Sequence, residues 1–188
     1  KFWKPLSKVF PFMKLRATWG KVGNDGVISS PRFVYLPTLK QQGRVNPRPG
    51  GSDLSTKGYL VQSYGNENIK WEVAEQTNFG LEAKLFKGLL DVQVDAYQEI
   101  RHNILDYRRV IPANMGFEYY QLDNVGKARS RGIDFSGKIQ HAFSSDFWII
   151  LNATFTYNQA KYLELEEATD KPAWQKRVGH DLSQRIGY

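Results

Sequence analysis

Hydrophobic and polar residues alternate one by one along several long stretches of this chain. Leu15, Ala17 and Trp19 alternate with Lys14, Arg16 and Thr18. Thr77, Phe79, Leu81, Ala83 and Leu85 alternate with Asn78, Gly80, Glu82 and Lys84, and after Lys87-Gly88 the sequence Leu90, Val92, Val94, Ala96 alternates with Asp91, Gln93, Asp95 and Tyr97. Ile133, Phe135 and Ile139 repeat the pattern against Asp134, Ser136, Lys138 and Gln140, followed by Phe147, Ile149, Leu151, Ala153, Phe155 and Tyr157. A period of two places alternate side chains on opposite faces of a β-strand. Five strands are predicted, in patterned runs of about 9–14 residues, against a mode of about 5–6 in globular proteins.

The connections between these strands differ in kind. Lys87-Gly88 predicts a tight hairpin and Phe143-Ser144-Ser145-Asp146 a short turn. Val27 to about Trp71 is a long stretch containing Pro31, Pro37, Pro47, Pro49 and Gly50-Gly51, with room for a short strand at Phe33 to Leu36. Asp106 to Phe117 is a medium loop, and Lys161 to Tyr188 is long and irregular. Residues Lys1 to Pro11 read as a connector with a short helical turn. In an antiparallel meander this order puts both short turns on one rim and the long loops on the other. No helix-period segment separates the strands, which disfavours a parallel α/β sheet.

Two environments fit such strands. In a soluble sandwich or small barrel, including a carbohydrate-binding module, the apolar face packs inward. In an outer-membrane barrel it faces lipid while the polar face lines a wet lumen. Strand length favours the membrane, since a tilted strand needs roughly 9–11 residues to cross a bilayer. The polarised loop lengths point the same way, as do Trp19, Phe79, Phe147, Phe155 and Tyr157, which suit interfacial girdles. Phe86 and Tyr97 run against it, because strict parity turns them toward the lumen. Five strands leave two open edges, which hydrocarbon does not tolerate, so the sheet requires further strands.

Composition adds little that contradicts this picture. Of 188 residues 14% are aromatic, with ten tyrosines and five tryptophans. The mean hydropathy of −0.52 looks soluble, but the alternating faces of a β-barrel average away. No run approaches the roughly 18–20 apolar residues of a membrane helix. The chain begins at Lys1 without a leader and reads as part of a longer protein. Without cysteine there is neither a disulfide framework nor a thiolate metal site. The formal charge of +7 comes from scattered lysines and arginines. Lys127, Arg129 and Arg131 are the nearest approach to a cluster, for which a solvated face is a simpler account than phosphate binding; no nucleic-acid partner is expected.

Catalytic chemistry is not indicated. His102, His141 and His180 lack metal-ligand spacing, and neither G-x-S-x-G nor a phosphate loop occurs, so no enzyme, metal or cofactor is expected. Gly126 and Gly132 fall within a strand pattern and mark a bend or close approach of chains. Glu164, Glu166, Glu167 and Asp170 read as a solvated outer loop rather than a cation site. Tyr59, Tyr64, Trp71 and Trp174 lie in the long loops, where they either stack on a ligand such as a sugar ring or pack within the loops.

Four stretches carry a resemblance: "KLRATWGKVGNDG", "WEVAEQTNFGLEAKLFKGLLDVQVDAYQEIRHNIL", "NVGKARSRGIDFSG" and "RVGHDLSQRIGY". In order and spacing they are similar to TonB-dependent outer-membrane receptors of the SusC/RagA-like branch. Ser130 stands where that branch often has Asn, and Asp181 and Ser183 interrupt a loop usually richer in Pro and Gly. The resemblance implies an all-β fold, an antiparallel transmembrane β-barrel segment with long extracellular loops and short periplasmic turns. Residues 1–188 would be a partial barrel domain of a plugged 22-stranded barrel. It implies a transporter in the bacterial outer membrane that imports an oligosaccharide or peptide. Its partners would be outer-membrane lipid, a SusD-like lipoprotein, and TonB through an upstream region. Leu81, Val92, Ile133, Phe135, Ile149 and Leu151 are the expected lipid-facing residues.

Overall fold

The computed structural model describes residues 9–25, 33–45, 56–111, 114 and 121–184. The connector expected before Val9 therefore lies mostly outside the described residues. Five strands form one antiparallel sheet: β1 (Phe12–Asn24), β4 (Glu72–Leu85), β5 (Leu90–Tyr107), β6 (Leu122–Ala142) and β7 (Trp148–Glu164), in the order β1-β4-β5-β6-β7. A separate hairpin, β2 (Thr38–Val45) with β3 (Thr56–Ser63), occupies the long segment between β1 and β4. The five-stranded sheet is thus an up-and-down meander. Its two short turns lie at one rim; the β1–β4 and β5–β6 connections lie at the other.

Three expectations about the elements are corrected. Phe33 to Leu36 is a turn, closed by Leu36 N–H donating to the Phe33 carbonyl at 2.9 Å. Pro37 has no N–H with which to extend a ladder there. The β4–β5 hairpin is wider than Lys87-Gly88 alone, because Leu85 pairs with Leu90 and Phe86 to Leu89 form the turn. Phe86, Lys87 and Gly88 all take positive φ, 51°, 58° and 92°. Finally, β5, β6 and β7 run well past the apolar alternation, to Tyr107, from Leu122, and to Glu164. Backbone pairing continues there with small and polar residues partly buried on both faces, Gly126, Ala128 and Glu72 among them, so no apolar–polar alternation marks it.

The sheet has almost no core. Among the described residues only Ala83 and Ala128 are buried hydrophobics, and no large side chain is fully buried. The chain exposes 14541 Å², whereas a compact monomer of 21.6 kDa exposes roughly 9,200 Å² by the usual mass scaling. Leu15, Phe79, Leu151 and Phe155 are each more than half exposed. A soluble sandwich buries one face under a second layer of its own chain; the described residues supply no such layer. The carbohydrate-module alternative loses its physical basis here.

Candidate functional site

The two faces of the five-stranded sheet are the candidate site, and the strand register builds them residue by residue. On one face, Leu15, Leu81, Val94, Phe135 and Phe155 form a row across the five strands. Ala17, Phe79, Ala96, Ile133 and Tyr157 form the row above it, toward the long loops. Below lie Met13, Ala83, Val92, Gly137 and Ala153, then Leu85, Leu90, Ile139 and Leu151. Trp19, Thr77, Gln98, Arg131 and Gln159 end the apolar band at the loop rim, while His141 opposite Ile149 ends it at the turn rim.

From Arg131 to His141 the strand advances about 34 Å at ~3.4 Å per residue. At the tilt of about 40° usual for such barrels, these two polar ends stand ~26 Å apart in height and enclose the apolar rows, against an apolar band of ~25 Å in outer-membrane barrels. Leu81, Val92, Ile133, Phe135, Ile149 and Leu151 all fall on this face. The aromatics sort by height. Trp19, Phe79 and Tyr157 sit at the loop rim, and Phe147 packs on Phe143 at 5.5 Å in the opposite turn, with His141 edge-on to Phe143 at 4.5 Å. Phe155, expected in a girdle, instead lies mid-band beside Phe135. The alternation alone cannot assign height without the register.

The opposite face is charged and cross-linked. Arg16 bonds Asp95 at 2.6 Å and lies 3.6 Å from Glu82, which also pairs with Lys14 at 3.5 Å. The Arg16–Asp95 pair spans an entire strand, because Gly80 of β4 stands between them in register. A Cβ on Gly80 would come within 2.6 Å of Arg16 Nε and 2.7 Å of Asp95 Oδ1. Gln93 donates to the other Asp95 oxygen at 2.9 Å. Lys84 faces Asp91 at 4.0 Å, and Arg101 contacts both Glu99 and the buried Glu72.

Tyr97 belongs to this charged face without any bulge near it. It pairs directly with Gly132, and a Cβ there would overlap the Tyr97 ring and hydroxyl. Its parity is explained by the glycine, which lets the ring lie flat over β6. Phe86, the other apparent exception, sits in the turn and belongs to neither face. Gly126 is also a close approach: a Cβ would meet Ile104 Cβ at 2.9 Å. There the β5–β6 register shifts and Asn103 adopts φ 57°. Trp148 and Ile150 depart from the parity rule, since they share the charged side of β7.

The loop rim holds polar clasps that sequence patterning missed. Asn124 accepts from Lys70 N–H at 2.7 Å and donates to the carbonyls of Lys70 and Asn103 at 2.9 and 2.6 Å. Asn66 donates to the Leu122 carbonyl at 3.1 Å. Together they tie the 64–71 loop to the start of β6; the only sequence signal was the leading Asn of "NVGKARSRGIDFSG". Ser130, at the position of motif departure, donates to Asn158 at 3.0 Å.

The acidic run is corrected in part: Glu164 and Asp170 are exposed as expected, but Glu166 and Glu167 are not. Glu166 chelates Arg108, with contacts of 3.0–3.4 Å, and the guanidinium is held in its charged form by that carboxylate. Glu167 is buried at its side chain and accepts from the amides of Arg177 and Val178. These carboxylates organise the loop after β7 instead of standing free in water, and among the described residues no acidic cluster has the geometry of a metal site.

The four candidate ligand aromatics stand on different segments. Tyr59 lies on β3 rather than in a loop, with Gln41 donating to its hydroxyl at 3.3 Å. Tyr64 follows β3, Trp71 stands just before β4 with its ring beside Gly23, and Trp174 is in the short turn Ala173–Gln175. Tyr59, Trp71 and Trp174 are 70%, 68% and 56% exposed.

Comparison with known proteins agrees with this architecture. A family model for the TonB dependent receptor-like β-barrel matches residues 3–184. TonB-dependent receptor P3 of Formosa agariphila is 29% identical over 84% of this chain, and TonB-dependent receptor SusC of Bacteroides thetaiotaomicron is 26% identical over 84%. The chain spans 15% of the length of each. The solved RagAB peptide importer in its closed-closed state superposes with a TM-score of 0.69 over 92% of this chain and 18% of its own, at 23% identity. With the register, the rims and the matched span in agreement, this chain belongs to the TonB-dependent receptor β-barrel family, as a SusC/RagA-like member.

Proposed function

We propose that these strands are part of the wall of a TonB-dependent importer in the bacterial outer membrane. The apolar face meets hydrocarbon and the charged face lines the interior. One observation carries this reading: an apolar band of about bilayer height lies uncovered on a sheet that has no core of its own. The open edges of β1 and β7 require further strands, since unsatisfied backbone groups cost several kcal/mol each in hydrocarbon. The remaining strands of a 22-stranded barrel and a plug would come from the rest of the full-length protein.

The cargo in this reading is an oligosaccharide or peptide. It enters from the long-loop side, where Tyr59, Tyr64, Trp71 and Trp174 offer stacking surfaces. A SusD-like lipoprotein caps that side, and TonB acts through a region outside this sheet. The similarity to a peptide importer and to SusC supports this class of cargo and partner. Leu81, Val92, Ile133, Phe135, Ile149 and Leu151 are the lipid contacts.

Two measurements test the proposal. Phe155→Arg, in the middle of the band, should block outer-membrane assembly of the full-length receptor, at a cost of about 2–4 kcal/mol, while the neighbouring Thr156→Arg is tolerated. Equal tolerance of both contradicts lipid exposure. Cells lacking the receptor should lose TonB-dependent accumulation of labelled oligosaccharides or peptides; undiminished uptake of both classes removes the import function.

A further inference from the structure

The basic residues above the apolar band are arranged in a way that sequence spacing did not reveal. Arg129 of β6 stands directly opposite Lys161 of β7, and Arg131 lies on the same face one row below. Like charges directly opposite each other destabilise a sheet. Lys21 and Lys127, on the same face, are neutralised by Glu75 at 3.6 Å and Glu164 at 3.3 Å. Among the described residues no carboxylate lies within ion-pair distance of Arg129, Arg131 or Lys161. Asp181 bridges Lys161 through the backbone, and its carboxylate, engaged by the Ser183 amide and hydroxyl at 2.9 and 2.6 Å, also feels the Lys161 charge. Arg131 uses one nitrogen on Gln159 at 3.0 Å and keeps its others available.

Immediately beneath this charge is a trough of about 470 Å³, lined by Phe79, Ala96, Gln98, Arg131, Ile133 and Tyr157. It exists because Ala96 is small between the flanking Phe79 and Ile133 in its row. A mostly apolar trough with two arginines, Arg129 and Arg131, outside any ion pair at its upper end is complementary to one kind of molecule, an amphiphile with an anionic head. We infer that this is a lipid site: an acyl chain lies in the Ala96 trough, and a phosphate-bearing headgroup sits between Arg129, Arg131 and Lys161. The inference rests on the membrane reading above, because only then is the trough at acyl depth and the basic row at headgroup depth.

The test uses the full-length receptor in detergent, with bound lipid counted by native mass spectrometry during titration with phosphatidylglycerol or with phosphatidylcholine of the same chains. The wild type should bind phosphatidylglycerol more tightly. Arg129→Gln and Arg131→Gln should each weaken that binding about five-fold, leaving phosphatidylcholine unchanged. Ala96→Phe, which fills the trough and keeps the charge, should weaken both lipids. Equal affinities in the wild type, or a double Arg129→Gln/Arg131→Gln variant that still prefers phosphatidylglycerol, overturns the site. Displacement of the lipid preference by millimolar inorganic phosphate also overturns it, in favour of a free-anion site. A cysteine at Leu151, labelled with a fluorophore and challenged with brominated lipid, separates the two readings. Quenching with no lipid preference sinks this inference alone; no quenching sinks the membrane reading and the inference with it.

Discussion

Gly80 and Gly132 each let a long side chain cross a strand on the charged face. Arg16 reaches Asp95 over the first, and Tyr97 lies over the second. Gly132→Ala should destabilise the assembled barrel by about 1–3 kcal/mol, the usual range for overpacking, read as a lowered heat-modifiability temperature on gels. Tyr97→Ala in the same background should recover part of that loss. Gly80→Ala should separate Arg16 from Asp95, and an Asp95→Asn change should then have a smaller effect than in the wild type. Asn124→Ala should abolish hydrogen-exchange protection at the Lys70 amide, because that N–H donates to the Asn124 side-chain Oδ1. Gly132 was legible in the sequence as a close approach, but its partner was not, since Tyr97 is found only through the register. Asn124 escaped notice because one asparagine makes no periodic pattern.

The strands themselves could be read from alternation wherever one face is apolar and the other polar. All five were found that way, and both short connections were placed on one rim. What alternation did not reach were the stretches where small and polar residues pair without one greasy and one polar face. The upper parts of β5 to β7 and the β2–β3 hairpin carry no two-faced pattern, and Glu167 looked solvated until its amide partners in the 177–178 segment were seen. At this scale the loop after β7 makes a pH prediction. The Ser183 hydroxyl and amide hold the Asp181 carboxyl below the usual carboxylate range. A depressed pKa stabilises the folded loop fully above the unfolded value of about 3.9, and that stabilisation is lost as the pH falls through the lowered pKa. Exchange protection of the Ser183 amide should therefore hold through neutral and mildly acidic pH and disappear only in stronger acid.

For the molecule as a whole, the decisive quantity is the surface that nothing covers. A sheet of this length with apolar rows such as Leu15, Leu81, Val94, Phe135 and Phe155 on one side, the first and the last two exposed and the middle two half-buried, is stable only in contact with something equally apolar. Within the described residues that partner is missing, and the band height fits hydrocarbon. The resemblance carried by the four sequence stretches and the family match over residues 3–184 agree on the barrel. The most direct measurement uses single cysteines, of which this sequence has none of its own, with any cysteine elsewhere in the full-length receptor replaced first. Single cysteines from Ile149 to Tyr157, placed in the full-length receptor in bilayers and spin-labelled, report collision with lipid-dissolved oxygen. The account predicts an oscillation of period two, high at Ile149, Leu151, Ala153, Phe155 and Tyr157 and low at the positions between. A flat profile, or maxima at Asn152 and Thr154, would contradict it.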